Sequence, residues 1–253
     1  AKRIEEGLGK LHTGLANFPW ITQQILAYYE EHKAGRKRLS EVVVGFLDLE
    51  GDEPELPPVV EAVEVDDDAD AETAVVDTGP DPVEVARRMD VLADLHGKFL
   101  KAIDKNGLDS DKTQKIRLTL ADEVLRLKFP LVQTDSLLGR LREVIAEIRR
   151  PESASLKLSV DAAKMPRKDF LKAWKGSETD LHWADSVIAR KQKWSSGMRE
   201  HKDAIIAQQE TLAAIEKEMY APLAEIKRAN EEMRYGEEMA RKAKKEMVEA
   251  NLR

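Results

Sequence analysis

The sequence predicts an all-α protein, an array of about ten to twelve helices on short connections. Apolar residues recur every three to four positions through most of the chain, which is the period of an amphipathic helix. Charged residues make up 35% of the chain and aromatic residues only 5%, a composition that favours helices with solvated faces over a β-sandwich. Proline and glycine stand where the periodicity breaks, as expected at helix ends.

The first 49 residues are expected to form three helices. Residues 1–17 carry one aliphatic stripe, and Pro19 then ends this helix and opens the next, over residues 20–33, as a first-turn residue. Residues 39–49 are ambiguous, because three consecutive valines favour a strand whereas the wider apolar spacing fits a helix. Since the sequence shows no partner strand, a helix is predicted there.

Residues 50–79 have the composition of a disordered acidic linker. From Glu50 to Glu84 there are fourteen Asp or Glu residues and no Lys or Arg, so the rest of the chain, whose total net charge is −7, carries +7. The acidic side chains repel one another, and such a segment buries too little apolar surface to offset the entropy of ordering. The acidic run at 66–72 also lacks the glycine and the flanking helices of an EF-hand calcium loop.

From residue 81 onward the pattern is helical again. Asp81 followed by Pro82 predicts a capped helix start, and Asn106-Gly107 predicts the end of that helix. Pro130 and Pro151 are expected to close later helices, and Pro166 to separate two short ones. The expected helices cover residues 81–105, 109–129, 134–150, 153–164, 167–175, 179–191, 195–219 and 222–234, with a terminal helix after Tyr235-Gly236.

Nothing in the sequence predicts an enzyme, a metal site or a cofactor. The glycines of residues 7–14 have the wrong spacing for a phosphate-binding loop and are expected to loosen a surface helix. The five histidines have no metal-ligand spacing, and no nucleophile motif is present. The chain has no cysteine and no apolar run of roughly 20 residues, so we expect a cytoplasmic protein rather than a membrane protein.

Three tryptophans, Trp174, Trp183 and Trp194, lie close together in the sequence among several lysines. Exposed aromatic residues between basic ones can form a stacking platform for single-stranded nucleic acid. In a helical protein, however, tryptophan is more often part of the core. We therefore expect the three side chains to be buried.

The last stretch of the chain is strongly amphipathic. At 100° per residue, Met239, Ala243, Met247 and Ala250 fall on one side of a helix, and Arg241, Lys242, Lys244 and Lys245 fall on the other. The first face can pack on protein while the second meets an anion. No stop signal follows this helix, and the chain begins without Met or a cap, so we expect a piece of a longer protein.

The same stretch, Arg-Lys-Ala-Lys-Lys-Glu-Met-Val-Glu-Ala-Asn-Leu-Arg at 241–253, resembles the start of region 2.1 in bacterial primary (housekeeping, sigma-70 type) sigma factors. Residues 1–7 resemble the end of region 1.2 of that family, and residues 38–48 and 164–178 resemble the non-essential insertion between the two regions. The resemblance covers nearly the whole chain. It implies the end of region 1.2 and the first insertion helices at 1–49, the acidic linker at 50–80, the helical insertion at 81–221 and the start of region 2.1 at 222–253.

This resemblance implies a non-enzymatic transcription initiation factor. In that family, region 2 binds the β′ clamp helices of the RNA polymerase core and captures the non-template strand of the −10 promoter element, and the insertion influences promoter escape. Regions 1.2 and 2.1 pack together in that family, so the two termini should meet as part of sigma region 2. Asn251 matches an asparagine that helps line the pocket for the last −10 thymine.

Four basic residues could add phosphate attraction to such a surface, namely Lys2, Arg3, Lys244 and Lys245. An alternative function from a different class remains open at this point. The chain could be a helical protein-interaction scaffold without nucleic-acid binding, with its basic stripe simply facing solvent.

Overall fold

The computed structural model describes residues 2–47 and 79–251, and over these ranges the all-α prediction is confirmed. The structure has nine α-helices there, together with one 3₁₀ turn, one π-helical turn and two short strands. Apart from Gly79 and Pro80, the linker expected at 50–80 lies outside the described residues. The helices are α1 (Lys2–Ala16), α2 (Pro19–Lys33), α3 (Pro82–Asn106), α4 (Asp111–Leu125), α5 (Leu131–Leu156), α6 (Arg167–Trp174), α7 (Trp183–Ile188), α8 (Ser195–Met219) and α9 (Leu223–Asn251).

Local sequence signals set several helix ends correctly. The Asp81 carboxylate accepts a hydrogen bond from the Val83 backbone N–H at 3.0 Å, which caps α3. The same helix ends at Gly107, whose φ of 83° is a conformation that glycine adopts without strain. The Ser110 hydroxyl accepts from the Thr113 N–H at 3.3 Å and caps α4. The long helix predicted over 195–219 is α8, with the same bounds.

The helix predicted over residues 39–49 is wrong. Residues 39–41 form a 3₁₀ turn, and strand β1 (Gly45–Phe46) follows it, while residues 48 and 49 lie outside the described residues. Strand β1 pairs antiparallel with β2 (Leu127–Lys128), and the Val44 N–H donates to the Lys128 carbonyl at 2.9 Å. The partner strand was missed because it lies about eighty residues further along, in a segment whose apolar spacing predicted the end of a helix.

Pro151 does not close a helix as predicted. It lies buried inside α5, and the chain continues into a π-helical turn at Lys157–Ala162 instead of starting a separate helix at 153. Proline removes one helical hydrogen bond. Ile148, before the proline, is 1% exposed, and Leu156, after it, is partly buried against the core, so packing on both sides offsets that loss. Pro166, in contrast, does separate two elements and precedes α6.

The helix predicted over 179–191 is shorter, because residues before Trp183 form hydrogen-bonded turns. The Gln209 side-chain amide, fully buried in α8, donates to the carbonyls of Ser177 and Asp180 at 3.1 and 2.8 Å. This amide therefore satisfies backbone acceptors of the turn region and holds it against α8.

The predicted break at Tyr235-Gly236 is also absent, since α9 runs unbroken from Leu223 to Asn251. An isolated glycine costs a helix only about 1 kcal/mol. Packing of α9 along α1, described below, extends on both sides of Gly236 and more than offsets this penalty.

The three tryptophans belong to the core, as predicted. Their side chains are 6%, 2% and 9% exposed for Trp174, Trp183 and Trp194. The rings of Trp174 and Trp183 meet edge to face at 4.8 Å, and Phe170 stacks on Trp174 at 5.2 Å. The Trp183 indole N–H donates to the Ala173 carbonyl at 2.8 Å, so its polar atom is satisfied inside the cluster. These rings fix α6 and α7 against each other.

Candidate functional site

Helices α1 and α9, near the two ends of the chain, pack side by side in antiparallel orientation. Gly7 of α1 faces Gly236 and Ala240 of α9, whereas Gly14, two turns further along α1, faces Met233 and Ala229. Increasing residue number in α1 therefore pairs with decreasing number in α9. This arrangement places the start of α1 beside the later turns of α9.

Glycines allow these two helices to approach closely. A Cβ atom on Gly7 would lie 2.6 Å from the Gly236 carbonyl oxygen, and one on Gly236 would lie 2.7 Å from the Gly7 carbonyl oxygen. A Cβ atom on Gly14 would lie 2.5 Å from the Met233 side chain. The expectation that these glycines loosen a surface helix is wrong for Gly7 and Gly14, which are buried in the contact. Residues seven positions apart lie on the same face of a helix. The spacing of Gly7 and Gly14 was therefore the sequence signal that could have revealed this contact.

A buried arginine holds the other end of this helix pair. Arg117 of α4, 9% exposed, donates from its guanidinium to the Asn17 carbonyl at 3.1 Å and lies 3.1 Å from the Glu225 carboxylate of α9. It also donates to the Gln114 side chain at 2.7 Å. The rigid guanidinium fork thereby links the end of α1, the start of α9 and α4.

The structure places the expected DNA-contact residues near one end of this pair. Lys2 and Arg3 lie in the first turn of α1, before Gly7, and Asn251 is the last residue of α9; nothing is described of these three side chains. Lys244 and Lys245 are exposed, and Lys245 lies 3.7 Å from the Glu249 carboxylate. Because the helices are antiparallel, all five positions lie beyond the Gly7–Gly236 contact on the same side.

The predicted apolar face of the last turns is covered only in part. Met239 and Ala243 are half-buried, but Met247 is 44% exposed and its neighbour Val248 is 53% exposed. The opposite face carries the exposed Arg241, Lys242, Lys244 and Lys245, as the helical spacing predicted. The last turns of α9 thus present both an apolar and a basic surface to solvent.

Comparison with known proteins identifies the family. Residues 18–216 match the family model described as the sigma-70, non-essential region. This chain belongs to that family. The sigma-70 chain is also similar to the RNA polymerase sigma factor RpoD of Neisseria gonorrhoeae, with 30% identity over 156 residues, which is 62% of this chain and 24% of that protein. It therefore spans about a quarter of the length of the relative it matches.

The family match covers the helices between α1 and α9. The two paired terminal helices of this chain, α1 and α9, lie outside the matched range. All five residues expected to contact DNA also fall outside it. The matched range therefore contains α2 to α7 and most of α8, and it lies between two helices that pack together.

Burial changes the pKa values of two histidine side chains in this chain. The His12 ring on α1 meets Phe129 edge to face at 5.7 Å, and burial lowers the pKa of His12 below its ordinary value. Burial likewise lowers the pKa of His96 on α3, whose ring meets Tyr220 edge to face at 6.2 Å. Both rings are therefore biased toward the neutral form.

Two further observations concern the described ranges alone. No group of three or more His, Asp or Glu side chains there is arranged to hold a metal ion. No helix among those residues has the length and apolar character that a membrane crossing requires.

Proposed function

We propose that this chain is the part of a transcription initiation factor that joins the end of region 1.2, through the non-essential insertion, to the start of region 2.1. In the whole protein it docks on the RNA polymerase core through the β′ clamp helices. It contributes to binding of the non-template strand of the −10 element and to promoter escape. The family match and the similarity to a polymerase sigma factor support this function.

The antiparallel contact of α1 and α9 is the observation that carries the proposal. A composite DNA surface needs residues from both ends of the chain at one place, although more than two hundred residues separate them in sequence. The glycine contact brings the first turn of α1 and the last turns of α9 to one end of the helix pair. This juxtaposition supports a shared binding surface formed by the two segments.

Two roles follow for the five residues. Asn251 presents an amide, which offers both a donor and an acceptor to the edge of an extruded base. Lys2, Arg3, Lys244 and Lys245 attract phosphates without regard to sequence. We therefore assign base discrimination to Asn251 and general affinity to the four basic residues.

A matched pair of variants of the full-length factor tests this assignment. Lys244→Gln/Lys245→Gln removes two exposed charges from α9, whereas Lys112→Gln/Lys115→Gln removes two exposed charges from α4. Each would be assembled with core polymerase and titrated with DNA carrying a melted −10 element at several salt concentrations. The α9 variant should weaken DNA binding several-fold and reduce the salt slope by about 1 to 2.

The α9 variant should lose more affinity for DNA than for core polymerase, and the α4 variant should keep both affinities. Equal salt slopes for the two variants would contradict the DNA role of α9. Failure of the parent protein to bind core polymerase would contradict the sigma-factor assignment itself.

A further inference from the structure

A recess of about 330 Å³ lies between the end of α2, the 3₁₀ turn that follows it and the start of α5. Its wall includes Tyr28 and Lys37 on one side and Pro130, Val132 and Gln133 on the other. We call it the α5 recess. Small-molecule sites in proteins have volumes of roughly 300–1,000 Å³, so this recess is large enough for a small ligand.

The first turn of α5, which borders the recess, has free backbone donors. The residue that precedes this turn is Pro130, whose side chain cannot accept a hydrogen bond, and no side chain caps the helix there. Within the described ranges, the N–H groups of Leu131, Val132 and Gln133 have no hydrogen-bond partner. Helix α5 has 26 residues, and its dipole places about half an elementary positive charge at this end. These groups together favour an anion.

The Gln133 side chain, which lines the recess, also lacks a partner. It is 6% exposed, and the nitrogen and the oxygen of its amide are both buried without a hydrogen bond to the described part of the chain. The amide nitrogen of Gln209, in contrast, is buried and donates to two carbonyl groups. An unpaired buried amide destabilises the folded state, so a partner from outside the chain is expected at Gln133.

A lysine on the opposite wall adds positive charge. The Lys37 Nζ atom lies 5.0 Å from the centre of the Tyr28 ring and 3.5 Å from the Glu31 carboxylate. Both members of this ion pair are partly exposed, and such pairs are weak, so the ammonium group can turn to a bound anion. The hydroxyl-bearing side chains of Ser40 and Ser136 line the same recess. Charged and neutral donors therefore surround one space.

Other parts of the wall restrict the size and charge of the ligand. Tyr28, Pro130 and Val132, which is 81% exposed, offer apolar contacts to the uncharged part of a ligand. Glu41 also lines the recess, and its carboxylate accepts from the Arg38 backbone N–H at 2.7 Å. Its negative charge disfavours a polyanion such as nucleic acid, which needs continuous positive charge. A single anionic group is instead balanced by the lysine and the helix dipole.

We propose that the α5 recess binds a small phosphate monoester, whose phosphate accepts hydrogen bonds from the first turn of α5 and from the Gln133 amide and pairs with Lys37. A monoester has three terminal oxygens and a charge of about −1.5 to −2 at pH 7, which suit this many donors. Its second pKa is about 6, so a fraction also carries an O–H that the Gln133 amide oxygen can accept. Neither a diester nor an ionised carboxylate has that O–H group.

Ligand-observed proton NMR titrations of the full-length protein test the choice of ligand. The probes are phenyl phosphate, benzoate and dimethyl phosphate, which represent a monoester, a carboxylate and the diester of a nucleic-acid backbone. Phenyl phosphate should bind at least tenfold more tightly than the other two. Absence of phenyl phosphate binding, or equal affinity for either of the other probes, would overturn the proposal. These titrations need neither core polymerase nor DNA, so their outcome is independent of the proposed function.

A matched pair of lysine variants tests the location of the phosphate. Lys37→Gln should weaken phenyl phosphate binding at least fivefold, because it removes the ammonium group of the recess. Lys33→Gln removes a lysine outside the recess that has the same kind of ion pair and aromatic contact, with Glu30 and Tyr29, and should change the affinity less than twofold. Equal effects of the two variants would overturn this location.

Thermal unfolding separates a ligand-binding role of Gln133 from a structural one. Gln133→Leu removes an amide that has no partner in the described chain, so the Tm without ligand should stay the same or rise. Phenyl phosphate should raise the Tm of the parent protein, and the variant should lose this increase. A lower Tm without ligand together with unchanged phenyl phosphate affinity would show a structural amide and overturn its role in the site.

Discussion

At the scale of single residues, the buried histidines give this protein a defined response to acid. The Nε2 atoms of His12 and His96 are buried and make no hydrogen bond. Burial disfavours the charged ring and lowers both pKa values from the ordinary value of 6.5. The unfolded chain therefore binds more protons than the folded chain as the pH falls through 6.5.

We expect the free energy of unfolding to decrease between pH 7 and pH 5. The contribution of each histidine is fully present above pH 6.5 and is lost as the pH falls toward the lowered folded pKa. Burial raises the pKa of Glu216, which acts in the opposite direction: its folded form holds a proton more tightly, and stability is lost as the pH rises through that raised pKa. The His12→Leu/His96→Leu variant separates the two effects.

Urea unfolding at a series of pH values would measure the difference between this variant and the parent. The variant should show a smaller decrease in unfolding free energy from pH 7 to pH 5, with any Glu216 contribution common to both proteins. Parallel pH profiles for the two proteins would show that folding leaves the pKa values of both rings unchanged, as expected for solvated rings.

At the scale of secondary-structure elements, glycines decide how α1 packs on α9. Glycine weakens an isolated helix, so the sequence pattern suggested loosened helices at residues 7–14 and a break near Gly236. The structure shows the opposite consequence for Gly7, Gly14 and Gly236, because their missing side chains let two helices touch. The stabilisation from this contact depends on a partner helix more than two hundred residues away. The helix propensity of each segment alone therefore cannot predict it.

Two substitutions in α1 distinguish these effects. Gly7→Ala places a Cβ atom 2.6 Å from a backbone oxygen of α9, whereas Gly9→Ala has no atom of another element within 4 Å. Overpacking should make Gly7→Ala less stable by about 1–3 kcal/mol. The higher helix propensity of alanine should make Gly9→Ala more stable by about 0.5–1 kcal/mol.

Urea unfolding of the two variants and the parent, followed by circular dichroism, measures both changes. Stabilisation of both variants by a similar amount would mean that α1 and α9 do not pack closely in solution. Destabilisation of both would instead point to a contact on the Gly9 face.

At the scale of the whole molecule, the fold brings the last helix, α9, beside the first, α1. Helices α3 to α8 lie between α2 and α9 in the sequence, and Arg117 of α4 contacts both the residue after α1 and the first turn of α9. The matched range between the terminal helices thus acts as a scaffold that helps to hold them together. A function that needs both ends at one place depends on this scaffold and on the glycine contact.

The absence of cysteine allows a direct measurement of this geometry in the full chain. Glu6→Cys and Lys245→Cys introduce two unique spin-label sites at exposed positions on α1 and α9. Because Gly7 faces Ala240 and α9 rises 1.5 Å per residue, the label distance should be on the order of 15–25 Å. Pulsed electron paramagnetic resonance would measure it.

If α1 and α9 pack side by side, the part of α9 beyond Ala240 is too short to carry one label more than roughly 35 Å from the other. A distance distribution centred beyond that value would contradict the packing of the termini. A control pair on α8 at exposed positions, Arg199→Cys and Glu210→Cys, should report a separation set by eleven helical residues and verify the labelling.

The sequence by itself determined the elements whose cause is local. The Asp81-Pro82 start of α3, its end at Gly107 and the bounds of α8 follow from side-chain capping, backbone conformation and apolar period, which act within a few residues. Burial of the three tryptophans also followed from residue type alone, because large apolar rings lose most by staying in water.

Only the tertiary structure decided the features that depend on distant partners. Strand β1 exists because β2 lies beside it, α5 continues through Pro151 because both flanking turns are buried, and α9 continues through Gly236 because α1 packs there. For Pro151 and Gly236 the local penalty is about 3 and about 1 kcal/mol, and packing against the rest of the protein offsets it. The meeting of the two terminal helices belongs to this class in its detail: the spacing of Gly7 and Gly14 marks one helix face but names no partner, and the resemblance to sigma factors implied that the termini meet without showing which side chains touch.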